Sequence, residues 1–140
     1  LSPAMRRMLG DLKGVSSSAK PTAASGRAAR REEKPGSAGK RILTATHPVV
    51  RTHPETGRRA LFINVGHTLA FDGWTVQESA PLLAFLFEHL RRPEFTCCFR
   101  WRPGSMAFWD NRAAQHCALN DYYGYRRVMH RITIKGDVPR

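Results

Sequence analysis

The residues best suited to chemistry lie between Trp101 and Arg131. They are Trp109-Asp110-Asn111-Arg112, Gln115-His116 and Arg126-Arg127-Val128-Met129-His130-Arg131. Residues 126–135 alternate in character, which predicts a strand. Under a period of two, Arg127, Met129, Arg131 and Thr133 share one face, and Val128, His130, Ile132 and Ile134 share the other. At about 3.3 Å per residue the two arginines would leave the strand about 13 Å apart, pointing the same way. Guanidinium groups so placed are best satisfied by carboxylate-like or sulfonate-like anions held bidentately. Structural salt bridges to Asp110 or Asp121 are the competing explanation. His116 stands eleven residues before Arg127. A lone histidine is more often structural than a ligand. Iron(II) oxygenases hold their metal with two histidines and one carboxylate, leaving positions open, so His116 would need partners.

These residues must be positioned by the elements around them. Ser2-Pro3 reads as an N-cap and first helical residue, and Met5, Met8, Leu9 and Leu12 recur at helical spacing, so residues 3–12 are expected to be a short helix. Residues 14–40 hold Ser, Ala, Gly, Pro, Lys and Arg with one large aliphatic, Val15, and are expected to form a mobile, lid-like loop. Strands are expected over His47–Thr52 and Arg59–Val65, joined by the turn Pro54-Glu55-Thr56-Gly57 into a hairpin. Thr75-Val76-Gln77-Glu78 is a capping-box pattern. It opens an amphipathic helix with Leu82, Leu83, Phe85, Leu86 and Leu90, stopped by Pro93. Phe95–Arg102 alternates, Pro103-Gly104 turns, and Ser105–Trp109 reads as a further short strand. The organisation is a helix over 1–13, a basic loop over 14–46 and a β-rich part over 47–140. This is a mainly β fold with helical decoration, a sandwich or barrel.

The 140 residues carry a formal net charge of +12. Alone, that suggests a polyanionic partner. Ten Lys/Arg against three Asp/Glu fall in residues 1–41, however, so much of the excess sits in the loop-like segment and nucleic-acid binding is not expected. No apolar run is long enough to cross a membrane, and no membrane partner is expected. Cys97, Cys98 and Cys117 have neither metal-ligand spacing nor an even count, which suits a cytoplasmic setting. Leu1 in place of Met is expected of a processed chain or a fragment.

Thr52-His-Pro-Glu-Thr-Gly57, Leu61-Phe-Ile-Asn64, Trp109-Asp-Asn-Arg112, Gln115-His116 and Arg126-Arg-Val-Met-His-Arg131 together resemble the C-terminal half of the taurine dioxygenase family and its alkylsulfatase-type relatives. The resemblance runs from about His47 to Pro139. It returns in Leu1-Ser-Pro-Ala-Met-Arg6, similar to the helix before that family's lid loop. It implies a double-stranded β-helix, or jelly roll, here incomplete. It implies Fe(II) as cofactor and 2-oxoglutarate as cosubstrate, with His116 as the distal iron ligand. Arg127 would bind the C5 carboxylate of 2-oxoglutarate, and Arg131 the substrate sulfonate. The implied reaction couples oxidative decarboxylation of 2-oxoglutarate, to succinate and carbon dioxide, with hydroxylation of the carbon next to a sulfonate or sulfate ester. The product then releases sulfite or sulfate and an aldehyde. The implied partners are O2, a small anionic sulfonate or sulfate-ester substrate, and further copies of the full-length protein.

Two departures qualify that resemblance. The family's His-x-Asp pair is absent. His53-Pro54-Glu55 is the only His-x-acid, and its place in the hairpin turn argues against a ligand role. His67, in Asn64-Val-Gly-His67-Thr68, stands where the family has a substrate-contacting Phe, so a titratable ring would line the substrate pocket. A relative acting on a small carboxylate, such as an aryloxyalkanoate, and a non-catalytic copy serving as a binding module remain the alternatives.

Overall fold

The computed structural model describes residues 1–20, 42–119 and 121–140. Helix α1 (Pro3–Gly10) begins as the sequence suggests, with the Ser2 hydroxyl accepting the Met5 N–H at 3.2 Å and Pro3 in the first turn. It buries Leu9 completely. It ends at Gly10, earlier than the periodicity implies, because Asp11 caps it and the chain turns into strand β1 (Lys13–Ser17).

Strand β1 lies in the stretch whose composition suggests a loop. It is the middle of a three-stranded antiparallel sheet, flanked by β2 (Thr44–Pro48) and β5 (Thr68–Phe71). Partners on both edges supply hydrogen bonds that compensate for its weak local signal. Gly14 makes the close approach possible, since a Cβ there would meet the Thr68 methyl at 3.3 Å. Strand β2 likewise begins inside the stretch expected as a loop, at Thr44, and residues 21–41 of that stretch lie outside the described residues.

The single strand expected over His47–Thr52 is two. The sheet strand β2 ends at Pro48, and β3 (Val50–Thr52) starts a hairpin with β4 (Arg59–Leu61). Pro48 has no N–H to donate, which an edge strand tolerates. The fully buried Val49 bends between the two. The hairpin turn forms where Pro54–Gly57 places it. Gly57 N–H donates to His53 O and His53 N–H to Arg58 O, both at 2.9 Å, and Gly57 has a φ of 67°, the left-handed region open to glycine.

Helix α2 (Val76–Leu90) carries both halves of its capping box between Thr75 and Glu78. Ser79, fully buried, fastens it to the sheet: its hydroxyl accepts the Phe71 N–H at 3.0 Å and donates to Thr75 O at 2.8 Å. Leu83 and Leu86 of α2 close on Leu9, Val49, Ile63 and Phe71. Each such side chain contributes about 1.5–3 kcal/mol by leaving water.

Beyond a short 3-10 turn at Pro93–Phe95, the strands expected at Phe95–Arg102, Ser105–Trp109 and Arg126–Lys135 are absent. Alternation prescribes a face, but a strand also needs a neighbouring edge. Among the described residues none runs beside these segments. Ile132 is accordingly 93% exposed. The segment is tied down at points instead. Arg51, 4% exposed, donates to Asp137 at 2.6 Å, and the Thr52 N–H donates to Arg140 O at 2.9 Å. The two-arginine face derived from strand periodicity is therefore not formed by a strand here.

Candidate active site

The turn Asp110–Arg112 is built as an ionic knot on the β3–β4 hairpin. The Asp110 carboxylate accepts from Arg112 Nε at 3.0 Å and Nη2 at 2.7 Å, and from the Arg112 backbone N–H at 2.8 Å. Arg112 Nη1 reaches back to Glu55 at 2.8 Å. His53 closes the ring, with Nε2 3.0 Å from Asp110 Oδ2, the oxygen that also accepts from Arg112 Nη2. Its Nδ1 accepts the backbone N–H groups of Glu55 and Thr56, both at 3.3 Å, which places the ring proton on Nε2 and makes it the donor to Asp110. Both nitrogens of His53 and the carboxylate of Glu55 are thus engaged within the knot. Hydrogen bonds from the Arg112 side chain first, then its backbone, then His53 hold Asp110 far below the ordinary carboxylate range. Asp110 in turn raises Arg112, with Glu55 second. Asp110 therefore both orders the turn before His116 and pairs with an arginine.

His116 follows this turn and is exposed. The Trp109 ring lies against it at 5.2 Å and 43°, while Trp109 Nε1 donates to Asn111 at 2.8 Å. Trp109 is half-buried rather than a core residue. The neighbour Gln115 is clamped, donating to Ile63 O at 2.6 Å and accepting from Asn64 Nδ2 at 3.1 Å. Gln115, Asn64 and His53 hold the site segment, yet spacing alone marks none of them. The signals available were the adjacency of Gln115 to His116 and the position of His53 at the head of a turn.

His67 is half-buried in the turn just before β5. It lines a shallow cleft of about 190 Å³ together with Ser16, Ser17, Ser18, Leu43, Thr44 and Ala45. Arg127 and Arg131 are both exposed. Arg127 lies over the Tyr122 ring at 5.1 Å. Among the described residues neither arginine has a carboxylate within ion-pair distance, and Asp110 is engaged by Arg112 and His53. No three His, Cys, Asp or Glu side chains converge on a metal-sized space among the described residues. His116 presents one exposed imidazole, with no second His, Cys, Asp or Glu pair beside it to complete a metal-binding group among the described residues.

This arrangement, a small antiparallel sheet and hairpin backed by a helix and presenting a histidine segment, recurs within a solved dioxygenase. A taurine dioxygenase from Burkholderia xenovorans superposes with a TM-score of 0.61 at 40% identity, covering 81% of this chain and 33% of that one. The chain is 41% identical, over 99% of its length, to 38% of the alpha-ketoglutarate-dependent dioxygenase cnsM of Penicillium expansum. It is 42% identical, over 71% of its length, to 35% of an alpha-ketoglutarate-dependent sulfate ester dioxygenase of Pseudomonas putida. Residues 1–133 match the family described as Taurine catabolism dioxygenase TauD, TfdA family, and the chain belongs to that family. It spans little more than a third of the length of these relatives.

Proposed function

We propose that the protein is an Fe(II)- and 2-oxoglutarate-dependent dioxygenase acting on a sulfonate or sulfate ester, within the double-stranded β-helix its relatives suggest. Hydroxylation next to the sulfur-bearing group would release sulfite or sulfate and an aldehyde, with succinate and carbon dioxide formed from 2-oxoglutarate. The observation that carries this reading is the pair Arg127 and Arg131. Both are exposed and lack carboxylate partners among the described residues, a few positions beyond an exposed histidine. Two unneutralised guanidinium groups suit a reaction with two anionic reactants.

His116 would hold the iron through one imidazole nitrogen. Arg127 would bind the distal carboxylate of 2-oxoglutarate and Arg131 the sulfonate or sulfate, while His67 would face the substrate from the sheet. Bound iron supplies the oxygen chemistry, and the chain supplies alignment and charge. The exposed thiols Cys97, Cys98 and Cys117 suit a reducing, cytoplasmic setting.

Anaerobic titration of the full-length protein with Fe(II) and 2-oxoglutarate should produce the metal-to-ligand charge-transfer band. Oxygenation with a panel of small sulfonates and alkyl sulfates should then release sulfite or sulfate. Because residues 1–140 supply one metal donor, this segment by itself should bind iron weakly and not turn over. A strong band from the segment alone would contradict that assignment. Turnover confined to carboxylate substrates would assign Arg131 to a carboxylate instead.

A further inference from the structure

Gln115 connects two parts of the chain to which the proposed reaction gives different tasks. On one side it is bonded covalently to His116. On the other its side-chain amide grips the end of the hairpin, donating to Ile63 O at 2.6 Å and accepting from Asn64 Nδ2 at 3.1 Å. The direction of that amide is settled by chemistry. A carbonyl oxygen only accepts, so the NH2 end must face Ile63 and the oxygen must face Asn64. Among the described residues no other hydrogen bond ties residues 115–119 to the rest of the fold.

Asn64 is the organiser of the loop that carries His67. Its carbonyl accepts the N–H of His67 at 3.1 Å and of Thr68 at 2.8 Å. Its side-chain oxygen accepts the Gly66 N–H at 2.7 Å, and its own N–H donates to the Thr68 hydroxyl at 2.9 Å. The remaining donor, Nδ2, goes to Gln115. Every polar group of Asn64 is therefore used, three of them in four hydrogen bonds within the loop and one on the His116 segment. A change in the direction of the His116 segment pulls on the residue that shapes the His67 loop, and the reverse holds equally.

We propose that Gln115 is a positioning residue that couples loop 64–68, with His67, to His116. The alignment of the iron-binding imidazole and the shape of the substrate-facing loop are then set together. This rests on the reading of His116 as an iron ligand. In such a link the loop tightens when the metal seats, and a substrate held against His67 steadies the ligand in turn.

The test follows amide hydrogen exchange in the full-length protein, kept anaerobic, with and without Fe(II) plus 2-oxoglutarate. In the wild type, loading should slow exchange at His67 and Thr68 by about tenfold. Gln115→Ala should abolish that slowing while retaining the charge-transfer band. Asn64→Asp keeps the acceptor for Gly66 but turns an oxygen towards the Gln115 oxygen. It should abolish the slowing too, although residue 64 is remote in sequence from the metal donor. Should Gln115→Ala fail to fold, Asn64→Asp carries the test. Slowing that persists in the variants overturns the coupling, as does a loaded wild type whose loop exchanges at the unloaded rate. A wild type that gives no charge-transfer band with Fe(II) and 2-oxoglutarate overturns the iron assignment itself, and the proposal with it.

Discussion

Thr68→Val is the sharpest single probe of the loop that presents His67. Thr68 is 1% exposed, and its hydroxyl oxygen accepts the Asn64 N–H at 2.9 Å with the Ser16 hydroxyl 3.4 Å away. Valine keeps the branched shape and the methyl that packs over Gly14, but offers no acceptor. The Asn64 amide is then left without a partner in a part-buried position, a loss of about 1–3 kcal/mol. Exchanging a buried hydroxyl for a methyl returns something under about 0.8 kcal/mol. The net expectation is a destabilisation of about 1–2 kcal/mol, read as a lower urea midpoint at unchanged slope. Thr68→Ser is the matched control. It keeps the acceptor and loses the methyl, which by analogy with Ile→Val should cost about 0.5–1.5 kcal/mol. Stability alone would not separate the two variants, but exchange of the Asn64 amide does. That amide should exchange faster in Thr68→Val and stay protected in Thr68→Ser. Equal protection in both, or a Thr68→Val protein as stable as wild type, would refute the claim that this hydrogen bond shapes the loop.

Leu86→Ala removes a fully buried side chain from the contact between α2 and the sheet and should cost about 2–5 kcal/mol by chemical denaturation. Ser79→Ala leaves the Phe71 N–H unpartnered and should cost about 1–3 kcal/mol, with Phe71 exchange accelerated. Acid sensitivity follows from two carboxylates. Asp110 is held below the ordinary range chiefly by Arg112, and Asp137 by Arg51. Depressed folded values mean that their stabilisation is complete above the unfolded carboxylate pKa, about 4, and is lost as pH falls through the folded values. Urea midpoints should therefore be insensitive to these groups near neutrality and fall below about pH 4, with a shallower fall in Asp137→Asn.

How much of this was legible in the sequence depended on whether a signal could be satisfied locally. The cap at Ser2-Pro3, the Thr75/Glu78 box and the Pro54–Gly57 turn each complete themselves within a few residues, and all three form as expected. Strand β1 was not legible. Lys13-Gly-Val-Ser-Ser17 has one large aliphatic residue, and its strand state comes from β2 and β5 on either side. Strand β5 escaped notice too, a four-residue run with one polar member, Thr68, turned inward. In the site, the types His116, Arg127 and Arg131 were readable, but the Gln115–Asn64 and His53–Asp110 contacts join residues more than fifty positions apart. No periodicity encodes such pairs.

The same reasoning accounts for the last segment. Val128, His130, Ile132 and Ile134 alternate with Arg127, Met129, Arg131 and Thr133 as a half-buried strand would, yet Ile132 and Ile134 are 93% and 75% exposed. Alternation states what a neighbour must provide, namely an open edge for the backbone and a cover for the apolar face. Among the described residues, β2, β5, β3 and β4 each keep an outer edge, but none of these edges pairs with residues 126–135. What holds the segment is polar and local to a few points: Arg51 to Asp137, Arg112 to Glu55, and Gln115 to Ile63 and Asn64. These points lie on the hairpin and on the loop leading to β5, so the hairpin serves as the platform on which the His116 segment is set. A substitution that weakens the hairpin turn should therefore reach His116 before it reaches the α2 core. Gly57→Ala, forcing a side chain into a φ of 67° at a penalty of about 1–2 kcal/mol, should release protection at residues 110–116 while Leu83 and Leu86 amides stay protected. Simultaneous loss of protection in both regions would show that platform and core unfold as one unit.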